Sequence, residues 1–487
     1  MVDQATLKQA AAALRRKLPA GTLYLDEADR KAVSLDNSRI ASLPAAVIKP
    51  ESDDDIAQVL KLANRYGIPL VCRGGGSAAT GATTPLLGGW VLDLSRWNRV
   101  RIDAVSGYAH VEVGAINAKV NEAAERKGWF YPPDPSSNAY CTIGGNIACN
   151  AGGLRAAKYG VTRDYVVALE GFLPTGEPVR WGRPLKKDVS GYNLRDLWIG
   201  SEGQLGVVTR AVLKLVPKPE ARTTLLAAYA NEADALRTVK AVLKARLVPA
   251  ILEFIDRQSC ACVLAKQEAE GSSLPFKAAP QKPPALLLLE LDGEPAQVRH
   301  QAKAVRAILA ERALWSKQAR DSAQAEALWQ VRRTCSQAMF AQGDTKLNED
   351  IVVPLQAQLP LLKYTLQLKR ETGLATPTFG HAADGNFHVH VMFNWDDAVQ
   401  RKRAQEAIDK IMHKVVELGG SITGEHGIGL AKSPYLRLQH SEAEIAAMQA
   451  IKQALDPKGI LNPGKIFTPF DMWEQPRDRD WRFSWDH

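Results

Sequence analysis

The chain has 487 residues, 46% of them apolar and 24% charged, with a formal net charge of +9. That length exceeds one ordinary core and predicts two or three packed units, and the composition is that of a globular protein rather than a disordered or fibrous one. The charge is spread along the chain with no basic-aromatic cluster, which argues against a nucleic-acid binder and leaves room for anionic substrates or an anionic membrane surface.

The first 41 residues read as an N-terminal helical segment. Leu7, Ala11, Leu14 and Leu18 recur on one helical face and Pro19 follows. The stretch has no apolar h-region and is interrupted by charge, so it is not a secretory signal. The cysteines at 72, 141, 149, 260, 262 and 335 form no C-x-x-C pair, which fits reduced thiols and a cytoplasmic protein, with peripheral membrane contact left open. The longest apolar runs, such as "ALLLLEL", are too short to span a bilayer and read as buried strands.

A first domain is expected over 42–219. "ESDDDIAQVLKLANRYGIP" predicts a helix capped by Ser52, burying Ile56, Val59, Leu60 and Ala63 and ending at Gly67. The strand "IPLVC" then runs straight into "RGGGSAATG". The glycines satisfy a G-x-G-x-x-A pattern, and Asp93 follows about where a ribose carboxylate would stand. The nucleotide-binding βαβ reading fails, because that motif must open a helix and "TGATTPLLGG" has no helical periodicity. Arg73, Gly74, Gly75, Gly76 and Ser77 instead suit a concave turn whose amides face a pyrophosphate. "CTIGGNIACNAGG" repeats the chemistry, with Gly144 and Gly145 for close backbone approach and Asn146 and Asn150 for hydrogen bonds; "GSEGQLGVV" makes a third such loop. Three of them in one domain point to a large cofactor.

"PKPEAR" reads as a linker into an α+β domain over 220–415, where strands alternate with Ala- and Arg-rich helices and 270–284 forms a surface loop. Near its end, "HAADGNFHVH" holds three of the nine histidines. His388 and His390 alternate along a strand and share a face, and His381 precedes a turn. On these residues alone the cluster could hold a metal, hold a substrate or fill a polar patch. A turn-rich segment, 416–470, and a tail, 471–487, complete the chain.

Read together, "RGGGSAATG", "PPDPSSNAYCTIGGNIACNAGG", "YGVTRDYV" and "DLWIGSEGQLGVVT" resemble the FAD domain of the vanillyl-alcohol-oxidase superfamily. "GHAADGNFHVHV", "GGSITGEHGIG" and "LDPKGILNPGK" resemble the C-terminal domain of its D-2-hydroxyacid dehydrogenase branch, which includes D-lactate and D-2-hydroxyglutarate dehydrogenases and the flavin subunit of glycolate oxidase. The resemblance spans about residues 42–468. It implies an α+β protein with a two-subdomain FAD domain, an α+β cap or substrate domain, and a C-terminal segment, 416–470, that returns to the flavin. It extends the cofactor contacts to Pro133, Asp134, Glu202, Gly203, Val208 and Asn462. Some members attach FAD through a histidine in the first glycine loop; this loop has none, so noncovalent FAD is expected.

The same resemblance makes His381, His388 and Glu425 metal ligands for zinc or a similar divalent ion, with an open position for substrate. It makes His426 the base that takes the substrate hydroxyl proton, a task suited to imidazole. It makes Arg332 the partner of the substrate carboxylate, with Arg333 adjacent as an alternative. Two departures stand out: Ala383 replaces a family glycine, and His390 replaces an asparagine and reads as an extra ligand, a substrate contact or a locally bonded side chain. The implied reaction is oxidation of a D-2-hydroxy acid, D-lactate or glycolate ahead of 2-hydroxyglutarate, with an unidentified electron acceptor. The rivals are a noncatalytic flavin subunit of an oxidase complex, an alcohol or phosphate-ester enzyme on the same scaffold, and a metallohydrolase using the histidines alone.

Overall fold

The computed structural model describes residues 2–271, 274–276, 278 and 282–475. Most of the expected tail and part of the 270–284 loop lie outside the described residues. The chain divides into two compact units: residues 1–152, 161–218 and 425–487, and residues 153–160 and 219–424.

The first unit is built on two sheets. One has the order Leu23–Tyr24, Ala46–Ile48, Trp90–Asp93, Leu70–Arg73, and its last three strands run parallel. Parallel strands need a crossover, and helix Asp53–Tyr66 carries the chain from Ala46–Ile48 to Leu70–Arg73, with Trp90–Asp93 later filling the place between them. Ser52 and Asp55 form a capping box, Gly67 ends the helix at φ 65°, and Ile56, Val59, Leu60 and Ala63 are buried, as the pattern predicts. From Arg73 to Trp90 the chain forms turns and no helix, which bears out the rejection of the βαβ motif. Asp93 accepts from the Ser95 amide at 2.9 Å, a local turn contact. The second sheet is antiparallel, in the order Val100–Asp103, Tyr108–Glu112, Val207–Lys214, Val166–Phe172, Pro178–Gly182. Trp90 and Leu92 of one sheet share a core with Val113, Phe172 and Val207 of the other. Helix Gln4–Arg15 joins that core through Ala10 and Leu14, so the N-terminal segment is part of this unit; Ala11, expected on the buried face, is only half-buried.

The second unit carries a seven-stranded antiparallel sheet in the order Trp315–Gln318, Ala221–Tyr229, Ala285–Gly293, Ile251–Ile255, Thr378–His381, Asn386–Phe393, Thr345–Val352. Ala285–Gly293 is buried along almost its whole length, which explains why its sequence is apolar without alternation. Residues 153–160 join this unit because Lys158 and Tyr159 both bond the buried Asp292. The return segment leaves the unit at Glu425, later than the expected 416. Helix Ala398–Glu417 runs past that point, and Ser421 bridges to Val352 at the sheet edge. Among the described residues no helix is long and apolar enough to cross a membrane.

Thr378–His381 and Asn386–Phe393 form a hairpin that sets the histidines side by side. Its turn needs glycine at Gly385, which takes φ +85° and whose added Cβ would overlap the Val353 carbonyl. Ala383 is not among the positive-φ residues, so its methyl costs nothing there. Gly385→Ala should therefore destabilise the protein by more than the roughly 1–2 kcal/mol of a left-handed backbone alone, whereas Ala383→Gly should shift it far less. Urea unfolding of the two variants checks the ranking.

Candidate functional site

In the first unit the second glycine stretch is mostly not a loop but helix Ile143–Cys149, and the first and third glycine loops pack against it and its cap. A Cβ on Gly74 would overlap the Thr142 hydroxyl and one on Gly75 the Tyr140 carbonyl, so the first loop lies directly on the second. Thr142 caps the helix, and Gly144 sits where a Cβ would come within 2.9 Å of Val113. The third loop hydrogen-bonds the same helix, Gly200 N–H to Ile147 O at 2.9 Å and Glu202 N–H to Ala148 O at 2.8 Å.

The polar side chains expected on the cofactor bond the segments beside these loops. Arg73, buried, donates to Leu35 O at 2.9 Å and Thr83 Oγ1 at 3.3 Å, and Gly76, at φ +68°, folds against its guanidinium. Asn146 donates to Asn117 Oδ1 at 2.9 Å, Asn117 donates to Pro133 O at 3.0 Å, and Asp134 accepts from Asn138. Asn150, at φ 52°, accepts from the Arg163 amide at 2.9 Å, and Ser77 O accepts from Asn37 at 3.3 Å. Asn462 donates to Ala82 O at 3.0 Å and Glu202 O at 2.7 Å. Gly203 turns at φ +72° with open space about it, and Val208 is half-buried in strand Val207–Lys214. What the loops offer a bound molecule is backbone, which suits the phosphates of a dinucleotide.

In the second unit the hairpin histidines meet a residue that sequence reasoning missed. Glu253, fully buried in strand Ile251–Ile255, lies opposite His381 in the register. One of its carboxylate oxygens bonds His381 Nδ1; the other accepts from Arg332 Nε at 2.6 Å. Burial alone would raise this carboxyl, but His381 and Arg332 hold it down to about 2. The acceptor-only carboxylate keeps a proton on His381 Nδ1 and leaves Nε2 facing away from it, an arrangement common where a histidine binds a metal. The signal in the sequence was a single carboxylate inside the apolar run "ILEFI".

Arg332 is 9% exposed and stacks on Phe379 at 4.0 Å from the ring centroid, whereas Arg333 is exposed and pairs with Glu326. This distinguishes the two arginines: only Arg332 belongs to the cluster. The Phe379 ring also packs on His390 at 4.6 Å and His388 at 5.7 Å. His390 is buried, bonds Pro377 O through Nδ1 at 3.2 Å, and is held neutral by burial and the Lys346 charge. Of its three readings, the locally bonded one fits the structure.

Within this unit the His381 and His388 rings meet edge to face, with centroids 5.4 Å apart; Glu425, expected as the third ligand, is the first residue of the chain's return to the other unit. Glu425 follows Gly424 directly, and the Gly424 amide is held at 2.9 Å by Asp350, the register partner of His388. Two imidazoles and a carboxylate form a donor set that a divalent ion takes. His426 comes next, half-buried, its carbonyl accepting from Thr80 Oγ1 at 3.4 Å.

Glu253→Gln would leave Arg332 as an uncompensated buried cation, which costs about 3–5 kcal/mol of stability at neutral pH. The folded carboxyl sits at about 2 against an ordinary value of 4.5. The wild type therefore has this stabilisation above pH 4.5 and loses it as the pH falls toward 2. The gap between wild type and variant in urea unfolding should narrow over that window.

The family model described as "FAD linked oxidases, C-terminal domain" matches residues 218–466, and "FAD binding domain" matches 44–182. Glycolate oxidase subunit GlcD of Bacillus subtilis is 41% identical over 88% of this chain and 90% of its own. D-lactate dehydrogenase of Anaerostipes hadrus is 34% identical over 87% of this chain and 89% of its own, and D-2-hydroxyglutarate dehydrogenase of Xanthomonas citri is 33% identical over 94% and 97%. In fold, the chain resembles p-cresol methylhydroxylase, with a TM-score of 0.80 at 16% identity, covering 96% of this chain and 98% of that one.

Proposed function

Because this chain belongs to the FAD-linked oxidase family, we propose that it oxidises a small D-2-hydroxy acid, D-lactate or glycolate, to the 2-oxo acid. The observation that carries the reading is the pairing of Arg332 and His381 on one carboxylate, Glu253. It sets a cation for an acid beside donors suited to the ion that would bind a hydroxyl.

Arg332 spends Nε on Glu253, and its two terminal nitrogens bind the substrate carboxylate. His426 takes the hydroxyl proton. FAD, when bound, accepts the Cα hydride, and a divalent ion on His381, His388 and Glu425, when bound, polarises the hydroxyl. The flavin is held noncovalently, because the first glycine loop has no histidine. A small substrate is favoured over 2-hydroxyglutarate because Lys346, the cation of strand Thr345–Val352 that could meet a second carboxylate, has its ammonium on Ser336 and over the Phe340 ring at 5.1 Å.

Anaerobic mixing with a panel of 2-hydroxy acids, both enantiomers of each, should bleach the flavin with D-lactate or glycolate and far more slowly with D-2-hydroxyglutarate; bleaching by none of them would sink the assignment. Arg332→Ala should lower kcat/KM by about 2–5 kcal/mol, the worth of a desolvated charge pair, and Arg333→Ala should cost far less.

Metal removal gives a separate test. Chelation should abolish flavin reduction and leave the flavin bound, and active enzyme should carry about one equivalent of metal per chain. Full activity with far less metal would refute the ion's role.

A further inference from the structure

Glu202, expected among the cofactor contacts, has both carboxylate oxygens engaged by the segment that follows His426. One oxygen accepts from the Ile428 amide at 2.7 Å and the other from the Gly429 amide at 2.9 Å. These amides lie two and three residues past His426. The side chain is 5% exposed, and a Cβ on Gly427 would come within 2.7 Å of it.

Two further observations show that this contact is built. The backbone of Glu202 is left-handed, at φ 51°, where glycine would be the low-cost choice. The retained side chain must return more than the strain it causes. The base-bearing loop is itself permissive: Gly427 and Gly429 take φ +80° and +52°, so its shape must be imposed from outside. Thr80 holds one side, its carbonyl accepting from Leu430 at 2.7 Å and Ala431 at 3.0 Å. Glu202 holds the other, and is anchored by its own amide on Ala148 O and by Asn462 on its carbonyl.

We propose that Glu202 is a positioning residue for His426: its buried carboxylate clamps the two amides beyond the base and fixes where the imidazole stands. This rests on the reading of His426 as the base. A carboxylate can accept both N–H groups. A glutamine can accept one and sets an NH2 against the other.

The test uses holoenzyme of Glu202→Gln, Glu202→Gly, His426→Ala and the double variant Glu202→Gln/His426→Ala. Flavin content and FAD dissociation should match wild type in both Glu202 variants. The limiting rate of anaerobic flavin reduction should fall by on the order of 10²-fold, the effect of displacing a reacting group by about an ångström, while the substrate concentration for half-maximal rate changes little. Glu202→Gly relieves the left-handed backbone but leaves the Ile428 and Gly429 amides without their acceptor, so its melting temperature should not rise, and its rate should fall at least as far as that of Glu202→Gln. In the His426→Ala background Glu202→Gln should cost nothing further, because the group it positions is gone.

Loss of flavin with normal reduction by the remaining holoenzyme would return Glu202 to the cofactor and overturn the proposal. So would an equal cost of Glu202→Gln in both backgrounds, or wild-type reduction by Glu202→Gly. Near wild-type reduction by His426→Ala would instead remove the base assignment itself, a result distinct from any of these.

Discussion

The second unit's chemistry depends on one buried carboxylate. Glu253 has no solvent exposure, and a lone charge in such a place is not tolerated. It is held because two cations or donors converge on it from different elements: Arg332 from helix Ser322–Ala338 and His381 from the neighbouring strand. The bonds make each partner's position a condition of the other's. The guanidinium cannot swing away, and the imidazole cannot change tautomer, without stranding a charge. Phe379, two residues before His381 and the register partner of His388, closes the arrangement, lying against the guanidinium and two of the histidines. The site proposed for a small anionic substrate takes its rigidity from Glu253, which need not touch that substrate itself.

The first unit solves a related problem with backbone. Its loops approach one another so closely that side chains are excluded at Gly74 and Gly75. The asparagines and acids around them bond the segments beside the loops, as Asn146 does with Asn117 and Asn150 with the Arg163 amide. Glu202 shows how far this goes. It sits in the third glycine loop, yet its side chain serves the segment beyond His426, so one residue links two loops with different tasks.

Much of this was legible in local sequence. The helix at 53–66 declared itself through a capping residue, a first turn of aspartates, an apolar face and a terminal glycine, all within a few residues of one another. The alternation of His388 and His390 specified a strand and a shared face, and the absence of a helix after "RGGGSAATG" excluded the nucleotide-binding βαβ unit. These are properties of near neighbours, set by the periods of 3.6 and 2 residues.

Which partner each side chain meets was another matter. Arg332 and Arg333 are adjacent on a helix and alike in chemistry; only packing against the sheet buries one and leaves the other in solvent. His390 shares a face with His388, but its ring meets the Pro377 carbonyl and the Phe379 ring, neither predictable from alternation. Glu253 finds Arg332 79 residues away, and Glu202 finds Ile428 at a distance of 226. The sequence by itself determined the elements, the cofactor loops and the set of chemically capable residues, because those follow from local pattern and composition. Only the tertiary structure decided which of those residues share a carboxylate, because that depends on strand register and helix packing between segments that local periodicity does not connect.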